Sequence, residues 1–140
     1  MVKTLVAAAL LAVCLSGCQN SGANKAAGFT VLSVNDLGEQ FSKDKEALRA
    51  KYEGKDVVVL GYAMKDFETQ FYGAETQDLR LVGDMSNPNH ATANCTVRKA
   101  EADKFAGVKE GAMVAVKGVL HVKEFGIEME PCNREFRGEK

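Results

Sequence analysis

The sequence predicts a mostly β domain: a small barrel of five strands behind one N-terminal helix, with a short helix between the third and fourth strands. Three observations carry this. An amphipathic stretch over Val34–Tyr52 gives way, from Lys55, to runs with a period of two. Those runs are short, rich in valine and bounded by turn residues. Gly61 falls in the middle of the first run, where a bulge or sharp bend lets a small barrel turn its corner.

The helix comes first. Val34, Leu37, Phe41, Leu48 and Tyr52 recur at spacings that place them on one helical face. Ser33 or Asn35 can cap its start, and Asp36 and Glu39 suit its positive end. Lys43, Lys45, Arg49 and Lys51 make a solvated face over the later turns, and Gly54 supplies a stop. Gly38 weakens the first turns slightly.

Asp56 to Met64 is apolar on both faces, as a central strand is. Leu79–Val82 is a second strand. Gly83 to Thr92 (GDMSNPNHAT) is a loop of turn residues, and Ala93–Val97 is a third strand. Lys99–Phe105 is a short helical segment ending near Gly107. Met113–Val122 alternates clearly and is a fourth strand. Phe125, Ile127 and Met129 alternate with Glu124, Glu128 and Glu130 in a fifth, joined by a tight hairpin through Lys123–Gly126. Pro131 is expected to interrupt that strand and to leave Cys132 at its end.

Ahead of these elements lies a different kind of segment. Lys3 precedes an apolar run from Leu5 to Leu15, about as long as the core of a secretory signal and too short for a lasting membrane span. Leu15-Ser16-Gly17-Cys18 then resembles the lipobox of bacterial lipoproteins. The resemblance implies removal of residues 1–17 and acylation of Cys18, which becomes the new N-terminus at a membrane surface. Gln19 follows the acylated cysteine; in lipoproteins of diderm bacteria a residue other than aspartate there resembles an outer-membrane address, with the domain facing the periplasm. The expected organisation is therefore a signal peptide over 1–17, anchor and flexible tether over 18–31, the folded domain over 32–134, and a polar tail over 135–140. Gln19 to Gly28 (QNSGANKAAG) has no periodicity, and as a tether its ten residues would reach about 30 Å when extended.

Loss of residues 1–17 leaves 123 residues, enough for one domain with a modest core. It also removes Lys3 and no acid, so the remaining formal charge is −2. That balance gives no basic excess to attract a phosphate backbone. Cys14 goes with the signal and Cys18 takes the lipid. Cys95 and Cys132 remain as an even pair in an oxidising compartment, and a disulfide between them is expected. The alternatives are two free buried thiols, or a metal site shared with His90 and His121, whose spacing shows no close C-x-x-C or H-x-x-x-H pair.

The order helix, three strands, short helix, two strands is the layout of the OB-fold, a five-stranded Greek-key barrel. The stretches YEGKDVVVLGYA (52–63), NCTV (94–97), VKEGAMVAVKGVL (108–120) and IEMEPC (127–132) also resemble the tRNA-anticodon-binding-like OB domains of bacterial envelope proteins. In that family the opening strand reads GK-x-V-x-V-x-G, and the fourth strand L-x-x-G-x-x-V-x-V-x-G, with Val108 here replacing the leucine. A cysteine often sits in the third strand and another near the end of the fifth. The family name implies nucleic-acid binding, but what it records is a likeness of fold, and the activity is not carried over.

OB barrels bind ligands across their second and third strands and the adjacent loops. The first long loop, Lys65–Thr76, holds Phe67, Phe71 and Tyr72, rings able to stack on bases or sugars or, the more ordinary role, to cap the barrel end or pack on the N-terminal helix, and Arg80 follows on the second strand. Asp66, Glu68, Glu75 and Asp78 flank the rings and would repel a phosphate backbone. His121 is expected on a solvated strand face and His90 in a polar loop. Glu124, Glu128 and Glu130 are expected on one wet strand face, where carboxylates can also hold calcium. Asn94-Cys95-Thr96 fits a glycosylation pattern, but a disulfide-bound strand centre is a poor acceptor. No P-loop, G-x-S-x-G or H-E-x-x-H motif occurs. The expected function is a non-enzymatic, lipid-anchored module that binds or scaffolds an envelope protein, peptide or glycan, with no cofactor. The alternatives are a nucleic-acid-binding OB domain, with Phe71 and Tyr72 exposed beside Arg80, Lys117 and Lys123, and a metal-dependent enzyme.

Overall fold

A computed structural model describes residues 24–26 (backbone course only), 28–86 and 91–135. The signal segment, Cys18 and His90 lie outside the described residues. The described chain forms β1 (Asn24–Ala26), β2 (Phe29–Ser33), α1 (Val34–Lys43), α2 (Lys45–Tyr52), β3 (Asp56–Ala63), β4 (Thr76–Val82), β5 (Thr92–Arg98), a 3₁₀ helix (Lys99–Phe105), β6 (Met113–Val122) and β7 (Ile127–Arg134).

The fold is mostly β, with one mixed sheet of seven strands where five were expected. Five of the seven close on themselves. β3 pairs antiparallel with β4, β4 with β5, β5 runs parallel to β7, β7 pairs with β6, and β6 returns to β3. The β1–β2 hairpin lies outside this ring, with β2 parallel to the first half of β3 over Thr30↔Val57 to Ser33↔Leu60. The second half of the same β3 edge pairs with β4 at Tyr62↔Val82 and Ala63↔Leu81. Asn24–Ala26 and Phe29–Val31, read from sequence as tether, therefore belong to the sheet.

The inward residues set the register. Leu79 and Leu81 are buried while Arg80 between them is exposed. Burying each leucine contributes about 1.5–3 kcal/mol, so a one-residue slip that exposed both is strongly disfavoured. Val57 and Val59 on β3 meet Val114 and Val116 on β6 in the same core. The 3₁₀ helix adds Phe105, which is fully buried.

The expected single helix is two helices, divided at Asp44. Asp44 is the C-cap of α1 and the N-cap of α2, its Oδ1 accepting from the Ala47 N–H at 2.9 Å. A short acceptor side chain that bonds the backbone ahead of it starts a new helix in preference to continuing the old one. Ser33 caps α1 as expected, accepting from the Asp36 N–H at 3.0 Å.

Gly61 is not the bulge that is one of its two expected roles, and Pro131 differs from expectation. The β3–β6 register passes through Gly61↔Val114 without a shift, so no bulge lies there. Gly61 instead makes room: a Cβ would stand 2.7 Å from Val34 Cγ2 and 3.0 Å from Leu81 Cβ. Pro131 does not end its strand. β7 continues to Arg134 through a cis Glu130–Pro131 bond. There β7 advances three residues while β5 and β6 each advance two, so the bulge falls around the proline, where a ladder tolerates it. Gly118 faces that bulge, and a Cβ on it would lie 2.3 Å from the Pro131 carbonyl oxygen.

Cys95 on β5 and Cys132 on β7 are joined by the expected disulfide, with Cα atoms 5.6 Å apart. It ties two parallel strands that no short loop connects.

Candidate binding surface

The predicted ligand loop divides its three rings. Phe71 is buried and Phe67 half-buried, so these two take the barrel-capping role and not the ligand-stacking one. Phe67 packs on Phe105 with ring centroids 5.3 Å apart and meets Phe71 edge-on at 6.5 Å. Tyr72 alone of the three is exposed, on a backbone with φ of 46°. The loop is pinned as well as packed. The Phe67 N–H donates to the Val108 carbonyl, and Asp66 accepts from the Glu110 N–H at 2.9 Å and from Lys109 Nζ at 3.1 Å. Those two contacts, the backbone one foremost, hold the Asp66 carboxyl below its ordinary range.

Arg80 stands on the outer face of β4 in a polar ladder. Its Nε donates to Asn94 Oδ1 at 3.3 Å, and Thr96 Oγ1 donates to Asp78 Oδ1 at 3.0 Å. Met64, Lys65, Asp78, Arg80 and Asn94 line a shallow cavity of about 390 Å³ beside this ladder. Asn94 thus serves an internal hydrogen bond. The basic strip proposed for a nucleic acid is not assembled. Lys117 Nζ lies over the Phe29 ring, 3.9 Å from its centroid, and Lys123 pairs with Glu128.

A second groove, missed in the sequence, opens at the other end of β5. It lies between α1 and the β6–β7 hairpin, with a volume of about 440 Å³. Phe41, Ala91 and Ile127 give it an apolar floor, and Asn35, Glu39, Ser42 and Thr92 give it a polar rim. Gly38 sits in its wall because α1 passes so close to the chain entering β5 that a Cβ would lie 2.0 Å from Ala91 Cβ. Phe125, at the hairpin tip, is 97% exposed and lies outside β7, not within it as the alternation suggested. Glu124 is likewise in the hairpin, paired with Lys45 at 3.0 Å, so the three carboxylates do not share one strand face.

α2 fixes the hairpin. Arg49 donates from Nε and Nη2 to the Val122 carbonyl at 3.2 and 3.1 Å. Glu53, beyond the end of α2, accepts from the Val122 N–H at 2.7 Å and meets His121 Nδ1 at 2.8 Å. His121 is therefore partnered, not simply solvated. The Val122 N–H first and His121 second hold the Glu53 carboxyl below its ordinary value. Sequence gave no direct signal for this clasp, since Glu53 and His121 stand 68 residues apart. For Phe125 a signal existed in Lys123-Glu124-Phe125-Gly126, whose turn chemistry competes with the period-two pattern.

Among the described residues no group of three His, Cys, Asp or Glu side chains is placed to hold a metal ion, and no helix is long and apolar enough to cross a membrane. A closed ring of five strands, an outer polar ladder and flanking loops define a β-rich, OB-like barrel. The family model for tRNA_anti-like domains matches residues 2–129, and the chain belongs to that family. No curated protein matches the chain.

Proposed function

We propose that this protein is a lipid-anchored OB-fold module of a bacterial envelope, which binds or scaffolds an envelope protein, peptide or glycan and performs no catalysis. The observation that carries the binding role is Phe125, held almost wholly in solvent at the mouth of the α1–hairpin groove. A bare ring beside an apolar floor and a rim of amide, hydroxyl and carboxylate groups suits a chain with alternating apolar and polar surfaces. Support for the anchor comes from LSGC and the apolar run before it. The barrel is read as the five-stranded Greek-key form, with β1, β2 and the paired helices added at its N-terminal side.

A photoreactive amino acid placed at Phe125 in living cells tests the binding site. Adducts of one defined size are expected from Phe125 and none from the buried Phe71. Adducts from Tyr72 with none from Phe125 would move the site to the other end of β5, and an oligonucleotide as the captured species would establish the nucleic-acid alternative. Cys18→Ala should release the chain from membranes; unchanged fractionation would remove the lipoprotein assignment.

A further inference from the structure

The outside of the barrel is not uniform. On β4 and β5 it is polar, carrying Asp78, Arg80, Asn94 and Thr96. On β2, β3 and β6 it carries an apolar patch, with Asp56, Lys117 and His121 facing outward at its margin and Tyr62 bordering Asp84 and Glu110. Val31, Leu60, Tyr62 and Met113 are all partly exposed there, and none belongs to the barrel core. Tyr62 and Met113 are cross-strand partners, and Val31 lies level with Val58 one strand away. Phe29 continues the face beneath the Lys117 ammonium. Rings and aliphatic side chains with a cation above them suit a membrane interface.

The chain also reaches this side of the barrel first. β1 is the strand before β2, and it begins at Asn24 opposite Val31. Only residues 19–23 separate Cys18 from Asn24. Six Cα–Cα steps span at most roughly 20 Å, against about 30 Å for a tether running to Gly28. With lipid on Cys18, the β1–β2 edge is confined to a layer near the bilayer. A barrel free to tumble at the end of a long leash has no preferred face; this one has a short leash fixed to its apolar side.

We propose that the outer face of β2, β3 and β6 rests on the bilayer surface, turning the polar face of β4 and β5 away from the membrane. This depends on the acylation of Cys18 proposed above. The occupant is the lipid headgroup and upper acyl region, because a tether of at most roughly 20 Å keeps this side of the barrel beside the bilayer.

The chain contains no tryptophan, so each Trp substitution is a single reporter. The full lipidated protein carrying Tyr62→Trp, or Met113→Trp should that variant fold poorly, is placed in vesicles of phosphatidylethanolamine and phosphatidylglycerol with bromine high on the acyl chains. Arg98→Trp, exposed at the far end of β5, is the comparison. Interfacial side chains sit about 5–10 Å into the headgroup and acyl boundary, so Tyr62→Trp fluorescence should fall roughly twofold on bromination while Arg98→Trp barely changes. Equal quenching of both, or of neither while the protein floats with the vesicles, overturns the orientation. Shielding of Tyr62→Trp that depends on protein concentration and not on bromine would assign the face to a second copy, and also overturns it. Failure of the anchor reads differently: the protein then does not float with vesicles at all and behaves as Cys18→Ala does.

Discussion

At one end of β5 the β3–β4 loop turns Phe67 and Phe71 inward onto Phe105 and is pinned by Asp66 to the turn before β6. At the other end the β6–β7 hairpin turns Phe125 outward, although α2 holds its base through Arg49 and Lys45 just as firmly. Both loops are anchored by charged side chains bonding to backbone or to an opposite charge. They differ in what lies beneath the ring. Below Phe67 the 3₁₀ helix, which buries Ala102 and Phe105, offers the Phe105 ring to pack on. Below Phe125 the floor is already made by Phe41, Ala91 and Ile127. An aromatic side chain in a loop is thus a core residue or a surface residue according to whether the neighbouring elements leave a hole for it.

The comparison breaks most visibly at the packed end. Phe105→Ala removes a fully buried ring from under Phe67 and should cost about 3–5 kcal/mol, read as a lower denaturant midpoint. The same variant should also expose Phe67 and Phe71 to solvent quenchers. A loss below about 1 kcal/mol would mean that the loop, and not the ring, closes the barrel there.

The wall between the two ends is the next test. Cys95 and Cys132 close a loop with a sequence separation of 37. By the chain-entropy estimate, Cys95→Ala with Cys132→Ala should cost about 3–4 kcal/mol. Unfolding in the presence and absence of a thiol reductant gives the same comparison in the unmutated protein. Unchanged stability would show that the bulge around Pro131 already holds β5 and β7 in place.

How much of this was legible beforehand follows the same physical line. The β3–β6 alternation, the Cys95–Cys132 pairing and the 3₁₀ segment could be read because local periodicity and cysteine arithmetic act along the chain. Asp44 could have been read as a helix divider, since aspartate caps helices well, but the apolar spacing on either side of it concealed the break. For Phe67 and Phe71 both a stacking and a barrel-capping role were open, and the choice depends on Phe105, more than thirty residues later. β2 was missed for a related reason. Its parallel pairing with β3 is non-local, and of its five residues only Leu32 is buried, too few to mark a period of two. The α1–hairpin groove was invisible because it needs the close approach of Gly38 to Ala91.

A smaller effect separates the two anchoring schemes by pH. Glu53 bonds the Val122 N–H and His121, and its folded-state pKa lies below the ordinary 4.5. A lowered carboxylate pKa stabilises the fold above the unfolded value, and that contribution is lost as pH falls through the folded one. Glu53 is partly open to water, so its effect is screened to less than about 1 kcal/mol. Glu53→Gln should therefore melt slightly lower than the parent near neutral pH, and the gap should close below the ordinary glutamate value. A gap that persisted unchanged in acid would show that the carboxylate charge plays no part in clasping the hairpin.

Phe125→Ala should have the smallest effect on stability and the largest on binding. The ring is 97% exposed, so its loss should change unfolding free energy by no more than about 0.5 kcal/mol. In the α1–hairpin groove the same deletion removes the most exposed apolar surface a ligand can cover, leaving the floor of Phe41, Ala91 and Ile127. Exposed rings of this kind are enriched among residues whose truncation costs an interface about 2 kcal/mol or more. The expected result is an unshifted melting curve together with loss of the crosslinked adduct formed from a neighbouring groove position such as Ser42. A destabilised Phe125→Ala would place the ring in packing after all, and an intact adduct would free the groove from any role in binding. Either result would erase the difference between the two ends of β5.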